Sequence, residues 1–564
     1  MSAYTTPEEQ FGISTVGEAV EAVADSPRGI TLLDGGPAET PLPYRLVSAV
    51  ARRVATELAR LGVEPGDRVA LLSTTGARFL LCLYGVWRAN AVPVILAPPH
   101  RLGDLERLMT DVRRRLDHVG ARCVVVADSL AGFLGKRLGD RRPVLTCGQL
   151  AAARDDRPPA LTALPDDLAY LQFTSGTTGP AKAVAISHRQ LLTNAVVCCQ
   201  RLMLEGERSV HASWAPLYHD LGLMTAVASI SARTKLVLQS PEAFLASPDS
   251  WVDALSRHRA TGTVTPNFAY GLAARSMRQH PRPLDLSALR VCGDGSEPTH
   301  APVVAAFTEE GGRYGLPAEA VTPMYGLAEA TLSVSMGSRS EPMAWDHVDR
   351  ESLTNGGVAT VAPPDAPGTR TLAVVGTAVP GVELAVVDEA GRPLPERHVG
   401  EVQVRGPSVM TGYWRDPEAT AEVLRDGWLR TGDLGYTTPA GLVVCGRLKD
   451  LIIVGGANLY PEDYEYVAGQ AEGAGGVCAA FALPEEERMV VAVEAAAGTD
   501  AAAAADLAKQ VLAALRAELG HAPDRVVVTT RGAIPRTSSG KVQRARCRER
   551  YFGGTLPALA EVSR

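Results

Sequence analysis

The chain has 564 residues, too many for one ordinary domain, so two or three are expected. It is 46% apolar and 21% charged with a net charge of −7, a balance that allows large cores and argues against general nucleic-acid binding. No apolar run reaches the roughly 18 residues of a membrane span, and the opening MSAYTTPEEQFG does not read as a signal peptide.

Residues 1–40 are polar and read as a loosely held approach. Val47, Val50, Val54, Leu58 and Leu61 then recur at helical spacing, with Gly62 as a stop. Residues 68–73 predict a strand, 77–89 a buried helix, 91–96 a strand, 105–116 a helix and 121–126 a strand. This alternation implies a parallel sheet with helices on its faces. Leu168, Tyr170, Leu171 and Phe173 predict a further strand, which runs into Thr174, Ser175, Gly176, Thr177, Thr178 and Gly179. Hydroxyls and glycines of so little bulk can turn several backbone N–H groups onto one anion, and Lys182 adds a mobile positive charge. The Walker phosphate loop carries its lysine next to the last glycine and leads into a helix. Here Lys182 lies three residues past Gly179 and an apolar run, 183–187, follows, so strand–loop–strand is expected. Taken alone, such a run is more often a surface loop.

A helix over 189–202 follows, with Ser187 placed to cap it. The segment SWAPLYHDLGL, 213–223, holds Trp214, Tyr218 and His219 around Pro216; singly each is more often structural than catalytic. Residues 235–238 and 262–265 predict strands, and PNFAY, 266–270, starts a loop or helix. LRVCGDGSEP, 289–298, is a short strand running into a polar turn at a sheet's C-terminal edge, where open α/β sheets bind ligands. In MYGLAEAT, 324–331, Tyr325 offers an aromatic face, Gly326 clears space and Glu329 supplies a carboxylate. A ring can stack on a nucleobase, and a carboxylate can hold Mg²⁺ beside phosphates.

From residue 374 short strands (383–387, 401–404) alternate with Gly/Pro turns, as in a β-rich subdomain. WLRTGDLGY, 428–436, sets Asp433 in a Thr-Gly-Asp turn, and Arg447-Leu448-Lys449-Asp450 separates two apolar strands where a linker can lie. Beyond it the pattern is that of a small α+β domain. It has strands near 478–482, 489–494 and 525–529, a low-complexity loop at 498–505, and a helix with Leu507, Val511, Leu515 and Leu519 on one face. PRTSSGKVQR, 535–544, places Lys541 after Ser538, Ser539 and Gly540. The nine cysteines are scattered without a C-x-x-C, which suggests reduced thiols, a cytoplasmic setting and no zinc site.

The runs FTSGTTGPAKA, YGLAE, TGD, GRLKD and PRTSSGKVQR, in that order, resemble the adenylate-forming superfamily of acyl-CoA synthetases, peptide-synthetase adenylation domains and luciferases. SWAPLYHDLGLM, TPNFAY, GSEP, YGLAEATL, HVDRESL and GGANLYPEDYE are similar to the fatty acyl-AMP ligases within it. The resemblance implies an α/β fold. A large N-terminal adenylation domain, 1–446, would be built of two α/β subdomains plus a β-rich one, with a hinge at 447–450 and a small mobile α+β C-terminal domain at 451–564. Residues 336–374 resemble the insertion of acyl-AMP ligases, which hinders thioesterification by CoA; a surface loop is the other reading.

By the same resemblance, Thr174, Ser175, Gly176, Thr177, Thr178, Gly179 and Lys182 would hold the phosphates of ATP, and Glu329 would hold Mg²⁺. Tyr325 and Gly326 would meet the adenine, with Asp294 and Ser296 nearby. Asp433 and Arg447 would hold the ribose. Lys541 would act at the acid's carboxylate, His219 would border the acyl pocket, and Lys449 or Asp450 would be the pivot. The implied substrate is a carboxylic, typically fatty, acid. The implied acceptor is the phosphopantetheine thiol of an acyl-carrier protein or carrier domain supplied in trans. Met224 and Gly271 are candidate pocket residues, equally readable as core. Two departures from the family pattern stand out: Ala183 replaces the glycine that commonly follows the lysine, and Asp294 stands where related ligases often carry Asn. The alternatives are an acyl- or aryl-CoA ligase and a catalytically silent nucleotide-binding subunit.

Overall fold

The computed structural model describes residues 4–33, 38–98, 105–138, 142–174, 181–204, 206–483, 487–537 and 540–564. Among them, two large sheets are stacked with helices between and outside them. The first has seven strands in the order Gly412–Tyr413, Ala183–Ser187, Leu168–Phe173, Val92–Leu96, Arg68–Leu72, Cys123–Val126 and Val144–Thr146. The second has nine, in the order Thr377–Ala378, Ser333–Met336, Val321–Gly326, Val291–Asp294, Gly262–Thr265, Val210–Ser213, Lys235–Gln239, Gly29–Leu33 and Glu39–Pro43. Both are parallel through their centres and antiparallel at edges, and the central strands are buried runs of Val, Leu and Ile rather than alternating ones.

The helices Tyr44–Arg60, Ala77–Arg88, His188–Arg201 and Asp220–Ser231 share one core with the facing sides of both sheets. The first two cross so closely that a Cβ on Gly85 would lie 2.3 Å from Val54 Cγ1, a contact only glycine permits. Trp87 Nε1–H donates to Ala169 O at 2.7 Å and so ties this layer to the strand that feeds the hydroxyl-rich turn. Ser187 caps its helix as expected, in a reciprocal pair with Gln190.

The first 40 residues correct the expectation of a loose approach. Helix Val16–Ala22 is buried against the central core, and strand Gly29–Leu33 pairs in parallel with Lys235–Gln239. Short apolar spacing (Ile13, Val16, Ala19, Val20, Val23) carries this burial, and the polar residues between mask it.

A third, antiparallel sheet contains Glu383–Val387, Gly400–Arg405, Leu424–Arg425, Trp428–Thr438 and Gly441–Arg447. Asp433 lies inside the eleven-residue strand of this sheet rather than in a turn, paired with Arg447 on its neighbour. Residues 336–374 are ordered structure: strands Trp345–Asp349 and Thr369–Ala373 pair around helix Arg350–Gly356. A single turn, Leu448–Asp450, leads to a four-stranded C-terminal sheet of Ala474–Leu483, Arg488–Ala495, Arg525–Thr529 and Ala558–Ser563. Helices Pro461–Gly469 and Ala501–Leu519 cover one face and Arg544–Phe552 the other. The alanine-rich stretch expected to be loop is helical from Ala501, started by Asp500, whose carboxylate accepts from Ala503 N.

Candidate active site between the large domain and the C-terminal segment

The C-terminal ends of the parallel strands and the C-terminal segment enclose one cavity of 2410 Å³. Thr174, Lys182, His219, Ser296, Tyr325, Gly326, Glu329, Arg447, Lys449 and Lys541 all line it. Residues separated by more than 360 positions thus meet at one place. Ser175, Gly176, Thr177, Thr178 and Gly179, and with them Ser538 and Ser539, lie outside the described residues.

The mouth of the hydroxyl-rich turn is set by its two strands. Leu168–Phe173 and Ala183–Ser187 pair antiparallel, and Thr174 N–H donates to Lys182 O at 2.9 Å, so a strand stands on either side of the hydroxyl-rich run, as expected. Lys182 Nζ sits 3.6 Å from Glu422 and 5.0 Å from the centre of the Tyr413 ring. Tyr413 O–H donates in turn to Glu329 Oε1 at 2.9 Å, which orients that carboxylate toward the same space. Gly326 is required by packing: a Cβ there would lie 1.8 Å from Leu332 O.

Asp433 forms the second group. Its Oδ1 accepts from Arg447 Nε and its Oδ2 from Tyr325 O–H, each at 2.7 Å. The three side chains fix one another, and burial together with the Asp433 charge raises the Tyr325 phenol well above its ordinary range. Ser296 takes a left-handed φ of 73°, unusual for a side-chain-bearing residue, at the turn beyond Asp294.

The third group surrounds Lys541. Burial opposes ionisation of Asp220, but His219 Nδ1 at 2.5 Å and the Lys541 charge pull its carboxyl below the usual range. Burial raises the Glu297 carboxyl, against the Phe268 N–H at 2.7 Å and the same Lys541 charge. Lys541 is therefore within electrostatic reach of both acids, with Thr537 N–H donating to its carbonyl at 2.8 Å.

Three expected residues do not line the cavity: Asp433, 5% exposed and bonded to Tyr325 and Arg447, which do, and Asp294 and Asp450. Asp294 is fully buried beneath the cavity wall, bonded to Asn267 Nδ2 at 2.6 Å, and burial pushes its carboxyl up to about 8. It supports the wall and does not line it. Asp450 also turns away, accepting from Arg544 Nη1 at 2.7 Å, and Arg544 further binds Glu462 and Glu465. Lys449, its neighbour, faces the cavity, where burial and Arg447 lower its ammonium pKa. Met224 lines the cavity, whereas Gly271 faces Val303 instead. Tyr413, Asp220 and Glu297 were not singled out from the sequence; Asp220 and Glu297 lie inside the quoted runs SWAPLYHDLGL and GSEP, next to His219 and Ser296, whereas Tyr413 lies in none.

A hard cation takes oxygen ligands, and Mg²⁺ characteristically uses one or two carboxylates and completes its shell with phosphate oxygens and water. Among the described residues there is no cluster of three or more His, Cys, Asp or Glu side chains able to hold a metal unaided. The single oriented carboxylate of Glu329 beside Thr174 and Lys182 fits the first kind of site.

A family model described as "AMP-binding enzyme" matches residues 21–414. The chain is 34% identical over 550 residues to a protein of Caulobacter vibrioides provisionally named an acyl-CoA synthetase, covering 96% of each. It is 33% identical over 592 residues to long-chain-fatty-acid–AMP ligase FadD32 of Mycolicibacterium smegmatis, covering 93% of this chain and 91% of that protein. A solved structure from work on fatty acyl-adenylate ligases of E. coli and L. pneumophila superposes with a TM-score of 0.89 at 29% identity, covering 97% of this chain and 99% of that one.

Proposed function

This chain belongs to the AMP-binding enzymes and, among them, to the fatty acyl-AMP ligases, and from that premise we propose how its cleft works. The reaction joins a fatty acid to ATP, giving acyl-adenylate and pyrophosphate, and then passes the acyl group to the thiol of a carrier protein. Its first difficulty is that a carboxylate must approach a polyphosphate, so positioning and charge neutralisation dominate.

The observation that carries the reading is the arrival of Lys541, from the C-terminal segment, in the cavity that also holds Thr174, Lys182 and Glu329. Residues 174–182 cradle the β- and γ-phosphates, with Lys182 as the movable charge. Asp433, held by Tyr325 and Arg447, accepts from the ribose hydroxyls through its remaining lone pairs, and the Tyr325 ring lies against the adenine. Mg²⁺, held by Glu329, would neutralise charge on the phosphates. Lys541 donates to the acid's carboxylate and to the bridging oxygen as negative charge builds there. Its favourable interaction grows toward the transition state, so its effect belongs in kcat. His219, held by Asp220, borders the entrance to the acyl pocket.

Residues 447–450 are the pivot between 1–446 and 451–564. Asp450 is clamped by Arg544 and moves with the C-terminal domain, while Arg447 stays with Asp433 on the large one. The second reading, an acyl-CoA ligase, draws on the name of the Caulobacter relative. The experiment is acid-dependent pyrophosphate release, followed by separate offers of CoA and of a phosphopantetheinylated carrier protein. Acyl-carrier product with little acyl-CoA is expected. Efficient acyl-CoA formation favours the second reading, and no acid-dependent pyrophosphate release leaves only a silent nucleotide-binding subunit.

A further inference from the structure

Below the nucleotide region the same cavity runs down one face of the nine-stranded sheet, under helices His188–Arg201 and Asp220–Ser231. Its walls there are largely apolar: Leu202, Leu204, Met224, Ala228, Val264 and Met336. His211 interrupts them. It is the second residue of strand Val210–Ser213, so by strand alternation it faces this side, while Ala212 packs with Trp214 and Phe244 on the other. Its residue is 2% exposed, yet neither ring nitrogen has a hydrogen-bond partner. The adjacent strand places Gly262 in register with it, where a Cβ would stand 3.7 Å from His211 Nδ1, so this neighbour puts no side chain against that edge of the ring.

Some of the other polar groups along this stretch are engaged, whereas Trp214 Nε1 and Gln172 Oε1, elsewhere on the cavity wall, also lack a partner. Thr225 O–H donates to Leu221 O at 2.9 Å, and the Cys198 and Ser333 side chains meet at 3.3 Å. A buried polar group without a partner is a standing cost, and sites built around one reject ligands that leave it unpaired. Burial holds the imidazole neutral, with a pKa lowered to about 4, so it offers one N–H donor and one acceptor and no charge for a second carboxylate.

We propose that His211 is a specificity-determining residue of the acyl pocket, and that the preferred substrate is a fatty acid carrying an uncharged oxygen substituent, hydroxyl or oxo, at the carbon that reaches this imidazole. The inference rests on the acyl-adenylating function proposed above. His211 lies two residues, roughly 7 Å, below the strand end at Ser213, on the side away from the nucleotide edge. The substituent therefore belongs on the body or far end of the chain and not beside the reacting carboxylate.

The test uses the full chain, ATP and Mg²⁺, and a panel of fatty acids of matched length, plain or with a hydroxyl or oxo group moved carbon by carbon. The readout is kcat/KM for pyrophosphate release. The wild type is expected to prefer one position of substitution over the plain acid by about tenfold or more. His211→Leu should bring the ratio of kcat/KM for the preferred acid over the plain acid down to about one, and His211→Gln should retain part of it. Equal or better use of plain acids by the wild type at every position overturns the proposal. So does a His211→Leu variant, folded by its melting curve, that keeps the preference. Release with plain acids alone leaves the acyl-adenylating reading standing and sinks only this inference. No release with any acid removes both.

Discussion

At the scale of single residues, the proposed mechanism assigns binding and chemistry to different groups of the cleft. Lys541 places its charge within electrostatic reach of Asp220 and Glu297 and lies far in sequence from the residues proposed to hold the phosphates. Lys541→Ala is expected to lower kcat for acyl-adenylate formation by about 10²–10³-fold, the loss typical when a preorganised electrostatic partner is removed. ATP affinity, measured by calorimetry, should stay nearly constant; normal pyrophosphate release by this variant would refute the assignment. Asp433 holds Tyr325 and Arg447 as well as its proposed ribose contacts. Asp433→Ala should weaken ATP binding about ten- to a hundredfold, as expected for hydrogen bonds to a charged acceptor. An unchanged dissociation constant would mean the ribose is held elsewhere. Both residues were legible in the sequence because each sits in a motif whose chemistry is local. Tyr413 was not, because nothing near it in the chain announces the carboxylate it meets, and Glu297 was passed over within GSEP because the amide it meets lies on a distant segment.

At the scale of elements, the segment 336–374 joins the β-rich sheet to the C-terminal segment. Asp346, in its first strand, accepts from Arg397 and from Tyr436 O–H, and Val348, Leu353, Ala359 and Val374 share a core with Tyr436 and Tyr460. Arg350 and Arg370 then both donate to Asp463, at 2.6 and 2.9 Å, on helix Pro461–Gly469. Stacking of His300 on Tyr466, with ring centres 4.1 Å apart, adds a second tie. If these contacts are what hinders transfer to CoA, as the resemblance of 336–374 to the acyl-AMP-ligase insertion implies, loosening them should admit CoA. Asp463→Ala leaves two arginines unpaired, Arg370 among them nearly buried, and should cost about 3 kcal/mol of stability. In the same variant, acyl-CoA should rise relative to acyl-carrier product. An unchanged product ratio would show that these ion pairs do not restrain the transfer step.

At the scale of the whole molecule, stability should depend on pH in two opposed ways. His188 is buried with Nδ1 accepting from Val16 N–H, and burial lowers it and His211 to about 4 from an ordinary 6.5. Folded pKa values below the unfolded ones mean stability that is present above pH 6.5 and lost as pH falls through 4. Asp294 has the reverse sign. Raised from 3.8 to about 8, it contributes stability present below pH 4 and lost as pH rises through 8, at roughly 1.4 kcal/mol per pH unit. Asp294→Asn keeps an acceptor for Asn267 and removes that loss. It should melt above the wild type at pH 8, with the gap closing toward pH 4; a gap independent of pH would contradict the account. The α/β class, the strand–helix alternation over 68–126 and the adenylating chemistry were legible in the sequence alone. Periodicity and turn chemistry act over a few residues and leave their mark locally. The burial of helix Val16–Ala22 and the pairing of strand Gly29–Leu33, the tie through Asp463, the withdrawal of Asp294 from the cleft and the bare imidazole of His211 were decided only by tertiary structure. Each depends on which distant side chain arrives opposite, and on the water excluded when it does, and neither is written in the neighbouring residues.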